Sequence, residues 1–337
     1  GGRRQLAQTV ARETIIKRIK MAIKFGIIGA GRIAHKFCKA VERVEGASVI
    51  AVASQTEGKA LTFAKEEGIA LSYNTYEALL ENPEVDAVYI ATTHNFHYEN
   101  AMACIKHKKA VLCEKCFVLT KKEAEEVFRA AREAKVFVME AMWSRFLPAI
   151  KQAREWILEG RIGEIELANC LIGFKADSNP ENRIMNPKLA GGAMYDIGVY
   201  AIEIMTYLIQ APIQEVQTMT TYAETGVDKV NSITLKFENT IANLQCMVTA
   251  SCPNSLYVYG TKGYIHIPNM HYTQECFIYT EEGVVEHFQK PHDNGFEYQI
   301  KEMIGCMERG ALESSIMPHK DTIECAGIFD QCLGTNI

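Results

Sequence analysis

A glycine-rich turn near the start of the chain constrains the fold most strongly. The run Gly29-Ala30-Gly31-Arg32-Ile33-Ala34 fits the pattern G-x-G-x-x-G/A, follows the apolar run 23–28 and opens an amphipathic stretch. In this pattern the first glycine permits a tight turn, the second lets the backbone approach a pyrophosphate, and the small last residue lets the helix pack on its strand. Free N–H groups at the helix start attract phosphate. The segment from Ile23 to Arg32 therefore predicts a dinucleotide-binding unit, with residues 29–33 contacting the cofactor, rather than an ordinary glycine-rich turn.

The order of apolar runs predicts two kinds of sheet. From residue 21 to about 143, short apolar runs alternate with amphipathic stretches, which predicts a Rossmann-like, doubly wound α/β domain with a parallel sheet. Strand-like runs dominate from 165 to 288, and 194–209 is the clear helix among them. This second pattern predicts an α+β domain with a large, mostly antiparallel open sheet.

The domain boundaries follow from these changes of pattern. Residues 21–143 are expected to form the dinucleotide-binding domain and 144–315 the substrate and oligomerisation domain. Residues 316–337 are expected to be a helical end that packs back on the first domain. The basic residues 1–20 are interpreted as a leader outside the fold, with a membrane-surface or transit segment and an oligomer-contacting arm as the alternatives.

Composition excludes several classes of function. The chain has 337 residues and a net charge of −5, which gives no reason to expect nucleic acid as a partner. No apolar run approaches the roughly 20 residues that span a bilayer, so no membrane partner is expected. The 11 cysteines are odd in number and lie in a long chain, which favours reduced thiols in a cytoplasm over a disulfide scaffold.

The end of the second predicted strand bears on the choice of cofactor. NAD-binding folds usually place Asp or Glu there to hold the ribose hydroxyls. This chain reads Val52-Ala53-Ser54-Gln55-Thr56, with no acid before Glu57. A 2′-phosphate is therefore tolerated, and Arg32 can pair with it. We expect NADP as the preferred cofactor and NAD as the alternative, with Ser54 and Gln55 in contact with it.

Several ordered segments together resemble the Gfo/Idh/MocA oxidoreductase family. They are FGIIGAGRIA at 25–34, ATTHNFH at 91–97, CEKC at 113–116 and AGGAMYDIGVY at 190–200. The run EAMWSRFLP at 140–148 is similar to the branch that holds dimeric dihydrodiol dehydrogenase and NADP-dependent xylose dehydrogenase. The resemblance runs from Met21 nearly to the end of the chain, and it implies a homodimer or higher homo-oligomer formed through the open sheet.

The resemblance also implies the site residues. Lys115 matches the catalytic lysine of the family's E-K-P motif, with Cys116 in place of the proline, and Asp196 and Tyr200 match a second active-site motif. Further cofactor contacts are expected from Thr92, Thr93, Asn95, His97, Glu114, Lys115, Trp143 and Arg145. The usual proline near Thr93 is also missing.

The residue types suit proton transfer in an alcohol or carbonyl reaction. Lys115 follows a predicted strand at the carboxyl edge of the sheet, and burial beside a positively charged nicotinamide is expected to lower its pKa. Asp196 and Tyr200 lie four residues apart on one helix face. We therefore expect Lys115 to be the general acid/base, Tyr200 to assist it and Asp196 to orient it. The resemblance implies that the substrate is a small sugar, aldose, polyol or diol.

Four alternatives stay open at this stage. A non-catalytic NAD(P)-sensing protein of the same fold is the second functional hypothesis. The spacing of Cys113 and Cys116 also fits a thiol-redox motif. His94 and His97 lack a third ligand motif, so no metal is expected. Arg145 and Arg183 are interpreted equally as substrate contacts or loop supports.

Overall fold

Six strands in the first part of the chain form one parallel sheet. The computed structural model describes residues 22–334. The strands are β1 (Ile23–Ile28), β2 (Ala47–Ala53), β3 (Leu71–Tyr73), β4 (Ala87–Ile90), β5 (Ala110–Glu114) and β6 (Val138–Ala141). Their order in the sheet is β3-β2-β1-β4-β5-β6. The direction of strand order reverses next to β1, which is where such sheets bind ligands.

Helices connect these strands. They are α1 (Arg32–Val41), α2 (Lys59–Glu67), α3 (Tyr76–Leu80), α4 (His97–Lys106) and α5 (Lys121–Ala134). The start of α5 is fixed by a reciprocal pair, because the Thr120 side chain accepts from the Glu123 amide while the Glu123 carboxylate accepts from the Thr120 amide. Helix α5 buries Ala124, Val127 and Phe128 on one face, as its amphipathic sequence requires.

The second sheet has eight strands. After α6 (Pro148–Leu158) come β7 (Ile165–Gly173), α7 (Val199–Ile209), β8 (Glu215–Tyr222), β9 (Asp228–Lys236), β10 (Ile241–Met247), β11 (Ser255–Gly260), β12 (Gly263–Pro268), β13 (Glu275–Thr280) and β14 (Gly283–Gln289). The order is β14-β13-β12-β11-β7-β10-β9-β8. Only the pair of β7 and β10 is parallel. The predicted fold class is confirmed.

The two faces of this second sheet differ in chemistry. Leu256 and Val258 of β11 are fully buried, whereas the alternating Tyr257 and Tyr259 are partly exposed. We call the partly exposed side the outer aromatic face; its ring residues are Tyr257, Tyr259, Tyr264, His266, Phe277, Tyr279 and His287. The rings of Tyr257 and His266 stack with centroids 4.3 Å apart. Helices α6 and α7 contact the opposite face.

The last two helices, α8 (Phe296–Glu308) and α9 (His319–Leu333), return to the first sheet and its helices. His319 Nε2 lies 2.8 Å from the Val138 carbonyl oxygen, and the Thr322 hydroxyl donates to Glu140 at 2.9 Å. The sequence predicts a helical end over residues 316–337, and the helix begins at His319, whose buried ring stacks on Phe128 of α5.

Two elements fall outside the sequence-based expectations. Strand β3 is only three residues long and was too short for its pattern to be seen. The predicted leader, residues 1–20, lies outside the described residues. Within the described part, no helix has both the length and the apolar character needed to cross a bilayer.

Candidate active site

The carboxyl ends of β1, β2, β4 and β5 open into a cleft of about 740 Å³ that residues of the second sheet close from the other side. This volume lies within the range of roughly 300–1,000 Å³ that is typical of small-molecule and cofactor sites. The predicted cofactor residues that line the cleft are Gly29, Ala30, Gly31, Arg32, Ile33, Ser54, Gln55, Thr92, Thr93, Glu114 and Lys115. Asp196, Tyr200 and Arg183 line it as well.

The glycine loop has room for a phosphate group. Gly29 has φ +100°, and a Cβ there would lie 2.8 Å from the Ala91 carbonyl, so this position needs glycine to build the fold. A Cβ on Gly31 would meet no protein atom within 4 Å, so this position leaves open space. No side chain caps α1; the Ala34 amide donates to the Gly31 oxygen, and the amides of Arg32 and Ile33 are available to bind an anion. These residues fit a dinucleotide pyrophosphate.

The loop after β2 is polar and has no acid in the cleft wall. Ser54, Gln55 and Thr56 line this end, together with Arg32 and Lys59. Neither Arg32 nor Lys59 has an ion-pair partner within residues 22–334. Two unpaired cations and no carboxylate form a site with positive charge for an anionic group.

Lys115, Asp196 and Tyr200 meet at the centre of the cleft. The Lys115 ammonium donates to the Asp196 backbone oxygen at 2.5 Å and lies 3.5 Å from its carboxylate. The same ammonium is 5.0 Å from the centre of the Tyr200 ring. An ammonium group has three N–H donors. After its contacts with Asp196, Lys115 can still offer a donor to a ligand in the cleft.

The electrostatics of this cluster correct one expectation. Burial alone lowers the pKa of Lys115, but Asp196, Tyr200 and Glu114 outweigh it, and the net pKa is raised above the ordinary value. Burial likewise opposes the Asp196 charge, yet Lys115 and Arg183 hold the Asp196 pKa well below its usual range. The sequence predicts that burial beside a positively charged nicotinamide lowers the Lys115 pKa; among the protein groups alone, the Asp196 carboxylate beside the ammonium reverses the effect of burial.

Trp143 sets the orientation of the Tyr200 hydroxyl. The Trp143 indole N–H donates to the Tyr200 oxygen at 3.1 Å, which leaves the tyrosine proton free to point elsewhere. The Trp143 ring in turn lies under the Lys36 ammonium, 4.0 Å from the ring centroid. The sequence predicts that Trp143 contacts the cofactor; the structure places its ring behind Tyr200 and outside the cleft wall.

The helix that carries Asp196 and Tyr200 starts in a crowded environment. It opens with a wide π-type turn, Met194–Gly198, before α7. A Cβ on Gly191 would lie 2.4 Å from the Ile184 carbonyl oxygen, and one on Gly192 would lie 2.0 Å from Asp228. The Asp228 carboxylate also accepts from the Met194 amide at 2.6 Å. The two glycines therefore permit the close approach that fixes Asp196.

Three predicted cofactor contacts lie elsewhere. His97 is fully buried, with its ring nitrogens 2.7 Å from the Cys116 oxygen and 3.1 Å from the Thr92 oxygen, so it supports the cleft floor from below. Asn95 accepts from the Thr93 hydroxyl and is outside the cleft wall. Arg145 is fully buried and bonded to Glu203 and Asp321, so no N–H group is directed to a ligand.

The alternatives based on cysteine and histidine gain no support from the geometry. Cys113 and Cys116 are buried free thiols, and burial raises the pKa of both well above the ordinary value, which disfavours the reactive thiolate. The peptide bond between Lys115 and Cys116 is cis. Across residues 22–334, no group of three His, Cys, Asp or Glu side chains is placed to hold a metal ion. Arg183 lines the cleft and pairs with Asp196 at 2.9 Å.

Sequence reasoning missed the wall that the second sheet contributes. Ile172, Gly173, Phe174, Asn254 and His271 line the cleft, as do Thr56, Lys59, Tyr76 and Phe96 of the first domain. Lys59 had a local signal, because it begins the helix after β2. The second-sheet residues had none, since they come from segments that only the sheet order brings together.

Family models match both parts of the chain. Residues 23–142 match the oxidoreductase family with an NAD-binding Rossmann fold, and residues 150–266 match the GFO/IDH/MocA C-terminal domain. A trans-1,2-dihydrobenzene-1,2-diol dehydrogenase from Danio rerio is 33% identical over 325 residues, which cover 92% of this chain and 96% of that protein. The enzyme of the same name from Homo sapiens is 30% identical over 328 residues, with the same coverage of 92% and 96%.

Solved structures show the same fold. An aldose–aldose oxidoreductase from Caulobacter crescentus, solved with glycerol, has a TM-score of 0.84 at 23% identity. A 3-ketoreductase from Actinomadura kijaniata, solved with TDP-benzene and NADP, has a TM-score of 0.81 at 24% identity. Each match covers 92% of this chain and 96% of the other chain. The predicted resemblance is confirmed: the chain belongs to the Gfo/Idh/MocA oxidoreductase family and carries its NAD-binding Rossmann fold.

Proposed function

We propose that this protein is an NADP-dependent dehydrogenase that interconverts a hydroxyl and a carbonyl group on a small diol, polyol or sugar. The observation that carries the proposal is the meeting of Lys115, Asp196 and Tyr200 at the carboxyl edge of a dinucleotide-binding sheet. Relatives named as diol dehydrogenases, at 30–33% identity over most of the chain, support the substrate class.

The protein's part in the reaction is proton transfer. A bound nicotinamide supplies the hydride acceptor or donor. In the oxidation, the substrate hydroxyl gives its proton to Lys115 Nζ as the carbonyl forms; in the reduction, Lys115 returns it to the carbonyl oxygen. The Tyr200 hydroxyl donates a hydrogen bond to the same oxygen, because Trp143 already occupies one of its lone pairs. Asp196 holds Lys115 in place and raises its pKa, which favours the ammonium form that donates in the reduction; the neutral form that accepts the proton in the oxidation is populated at higher pH.

Arg32 and Lys59 support the choice of NADP over NAD. Both line the cleft beside the loop after β2 without an ion-pair partner in the described part of the chain, and they can pair with a 2′-phosphate there. The family model is described as NAD-binding, and solved structures of this fold hold NADP or NADH, so these two cations carry the preference for NADP.

A second copy of the chain is the partner we propose for the outer aromatic face. Its stacked rings are partly exposed, and Met219 at the far edge of the same sheet is 79% exposed. Apolar faces of this kind usually mark contacts between proteins. Sedimentation should give a dimer or larger assembly, and Tyr264→Glu should dissociate it; a monomeric wild type would contradict this assignment.

The 11 unpaired cysteines support a reducing, cytoplasmic location.

The decisive experiment follows nicotinamide absorbance against vicinal diols, polyols and aldoses with each dinucleotide. We expect turnover with the wild type and a loss of about 10²–10⁴-fold in Lys115→Met, with dinucleotide binding retained. Exposed Lys122→Met is the matched control and should behave as wild type. A wild type that binds NADP but turns over none of the panel would favour the sensing protein instead.

A further inference from the structure

The loop between β12 and β13 carries a histidine into the cleft opposite the glycine loop. The His271 backbone oxygen accepts from the Ser144 hydroxyl at 2.5 Å, and the neighbouring Met270 amide donates to the Asn254 oxygen at 3.2 Å. These bonds fix the loop to the segment after β6 on one side and to the residue before β11 on the other. The imidazole is therefore held in one place in the cleft wall.

The His271 ring has hydrogen-bonding capacity that the described protein leaves unused. Neither ring nitrogen has a hydrogen-bond partner within residues 22–334, and Nδ1 is sealed from solvent while unpaired. Nε2, which also lacks a partner, is not sealed, so it is the nitrogen that a ligand in the cleft can reach. Nε2 therefore opens on the cleft without a partner among the described residues, and a ligand there can satisfy it.

The surroundings of His271 keep it neutral. Burial, reinforced by the positive charges of Lys115 and Lys36, lowers the His271 pKa to about 4. No carboxylate is among the groups that shift it. At neutral pH the ring is therefore a weak base that does not compete with Lys115 for the substrate proton, and it acts as a hydrogen-bonding group.

A hydroxyl is the ligand group that suits this nitrogen. No hydrogen bond at Nδ1 fixes the tautomer, so Nε2 can either donate or accept a hydrogen bond. A hydroxyl group suits both cases, because it can accept from Nε2 or donate to it. The imidazole also packs against the Tyr200 ring, with centroids 5.4 Å apart. A hydroxyl bound to Nε2 would thus lie close to the substrate oxygen that contacts Tyr200 and Lys115.

We propose that His271 binds a second hydroxyl of the substrate, one or two carbons from the reacting carbon, and so selects diols and polyols over simple alcohols. This inference rests on the proposed function and specifies which side chain reads the substrate class.

The test measures binding as well as turnover. In the Lys115→Met enzyme loaded with NADP, we compare the dissociation constants of trans-1,2-cyclohexanediol and cyclohexanol with and without His271→Phe. We expect about tenfold weaker binding of the diol and an unchanged constant for cyclohexanol, since one hydrogen bond is lost. His271→Gln should retain most of the diol affinity. His107→Phe, at the end of α4 and outside the cleft wall, is the matched control and should change neither constant.

The outcomes separate the two ideas. Equal weakening for both alcohols, or no weakening for either, overturns the role of His271. Turnover of the panel by an otherwise wild-type His271→Phe enzyme with unchanged preference for the diol overturns it too, and leaves the proposed function intact. Selective loss of diol binding in a protein whose wild type turns over nothing would support the His271 contact and overturn the dehydrogenase.

Discussion

The two walls of the cleft are built in opposite ways. The wall that fits the dinucleotide comes from one contiguous turn, residues 29–33, and from the loop that follows the neighbouring strand. The wall that we propose faces the substrate comes from β7, from Asn254 before β11 and from the loop after β12, which lie up to about a hundred residues apart. Local sequence therefore determines cofactor binding, whereas long-range sheet order determines what the enzyme recognises.

Filling the open space at Gly31 should have the largest effect, because it tests whether the glycine loop binds the cofactor. Gly31→Val keeps an extended backbone and would meet no protein atom with its Cβ, so the fold should be unaffected. The side chain would occupy the place of a phosphate, and we expect the NADP dissociation constant to rise about 100-fold or more. Titration and thermal melting measure the two effects. A large fall in Tm without ligand would show that this glycine serves the fold instead, as Gly29 does.

Asp196→Asn tests the junction between the two walls. The raised Lys115 pKa means that the neutral, proton-accepting lysine appears only at high pH, so the oxidation rate should climb as pH rises. Removing the Asp196 charge lowers that pKa, and the rising limb should move down by about one pH unit or more. A pH profile of kcat/KM for the diol checks this. An unmoved limb would mean that another group titrates.

Arg32→Ala combined with Lys59→Ala sharpens the account of the cofactor wall. Loss of two charged contacts should reduce the kcat/KM ratio of NADP to NAD by about 10–100-fold, mainly through NADP. Lys65→Ala, exposed on the same helix as Lys59, is the control. If the double variant discriminates as the wild type does, the 2′-phosphate is bound elsewhere.

Asn254→Ala should give the smallest effect, and it should change only the binding of the substrate. Its side-chain oxygen accepts from the Gly173 amide at 2.8 Å, and both residues line the cleft. We expect KM for the diol to rise about fivefold, as for a lost hydrogen bond, while the NADP dissociation constant stays the same. A change in cofactor affinity would contradict the division of labour between the walls.

The different origins of the two walls explain which parts of the site could be predicted from the sequence. The glycine loop, Lys115, Asp196 and Tyr200 carry short patterns, and the structure brings all of them to one cleft. Arg145 and His97 carry the same kind of pattern, yet Arg145 is bonded to Glu203 and His97 to the Cys116 carbonyl, because a motif does not show which way a side chain faces. His271 and Asn254 have no local pattern, and only the order of the second sheet places them.

The direction in which the protein's own groups shift the Lys115 pKa could not be predicted for a related reason. The expectation considered burial and the cofactor's charge, which both lower it. A carboxylate 3.5 Å from the ammonium reverses the balance, and that distance depends on the tight approach of Gly191 and Gly192 to their neighbours. Electrostatic predictions need the packing that brings charges together.

The return of the chain to its first sheet has a mechanical consequence. His319 and Thr322 of α9 are bonded to β6, and Asn294, before α8, donates to the Lys36 backbone oxygen at 2.9 Å. The polypeptide thus crosses from the first sheet to the second and returns, and its last two helices are hydrogen-bonded to the first domain. These helices must detach before either sheet can unfold alone, so heating should melt the protein in a single calorimetric peak, and cutting the chain between β14 and Asn294 should split that peak into two.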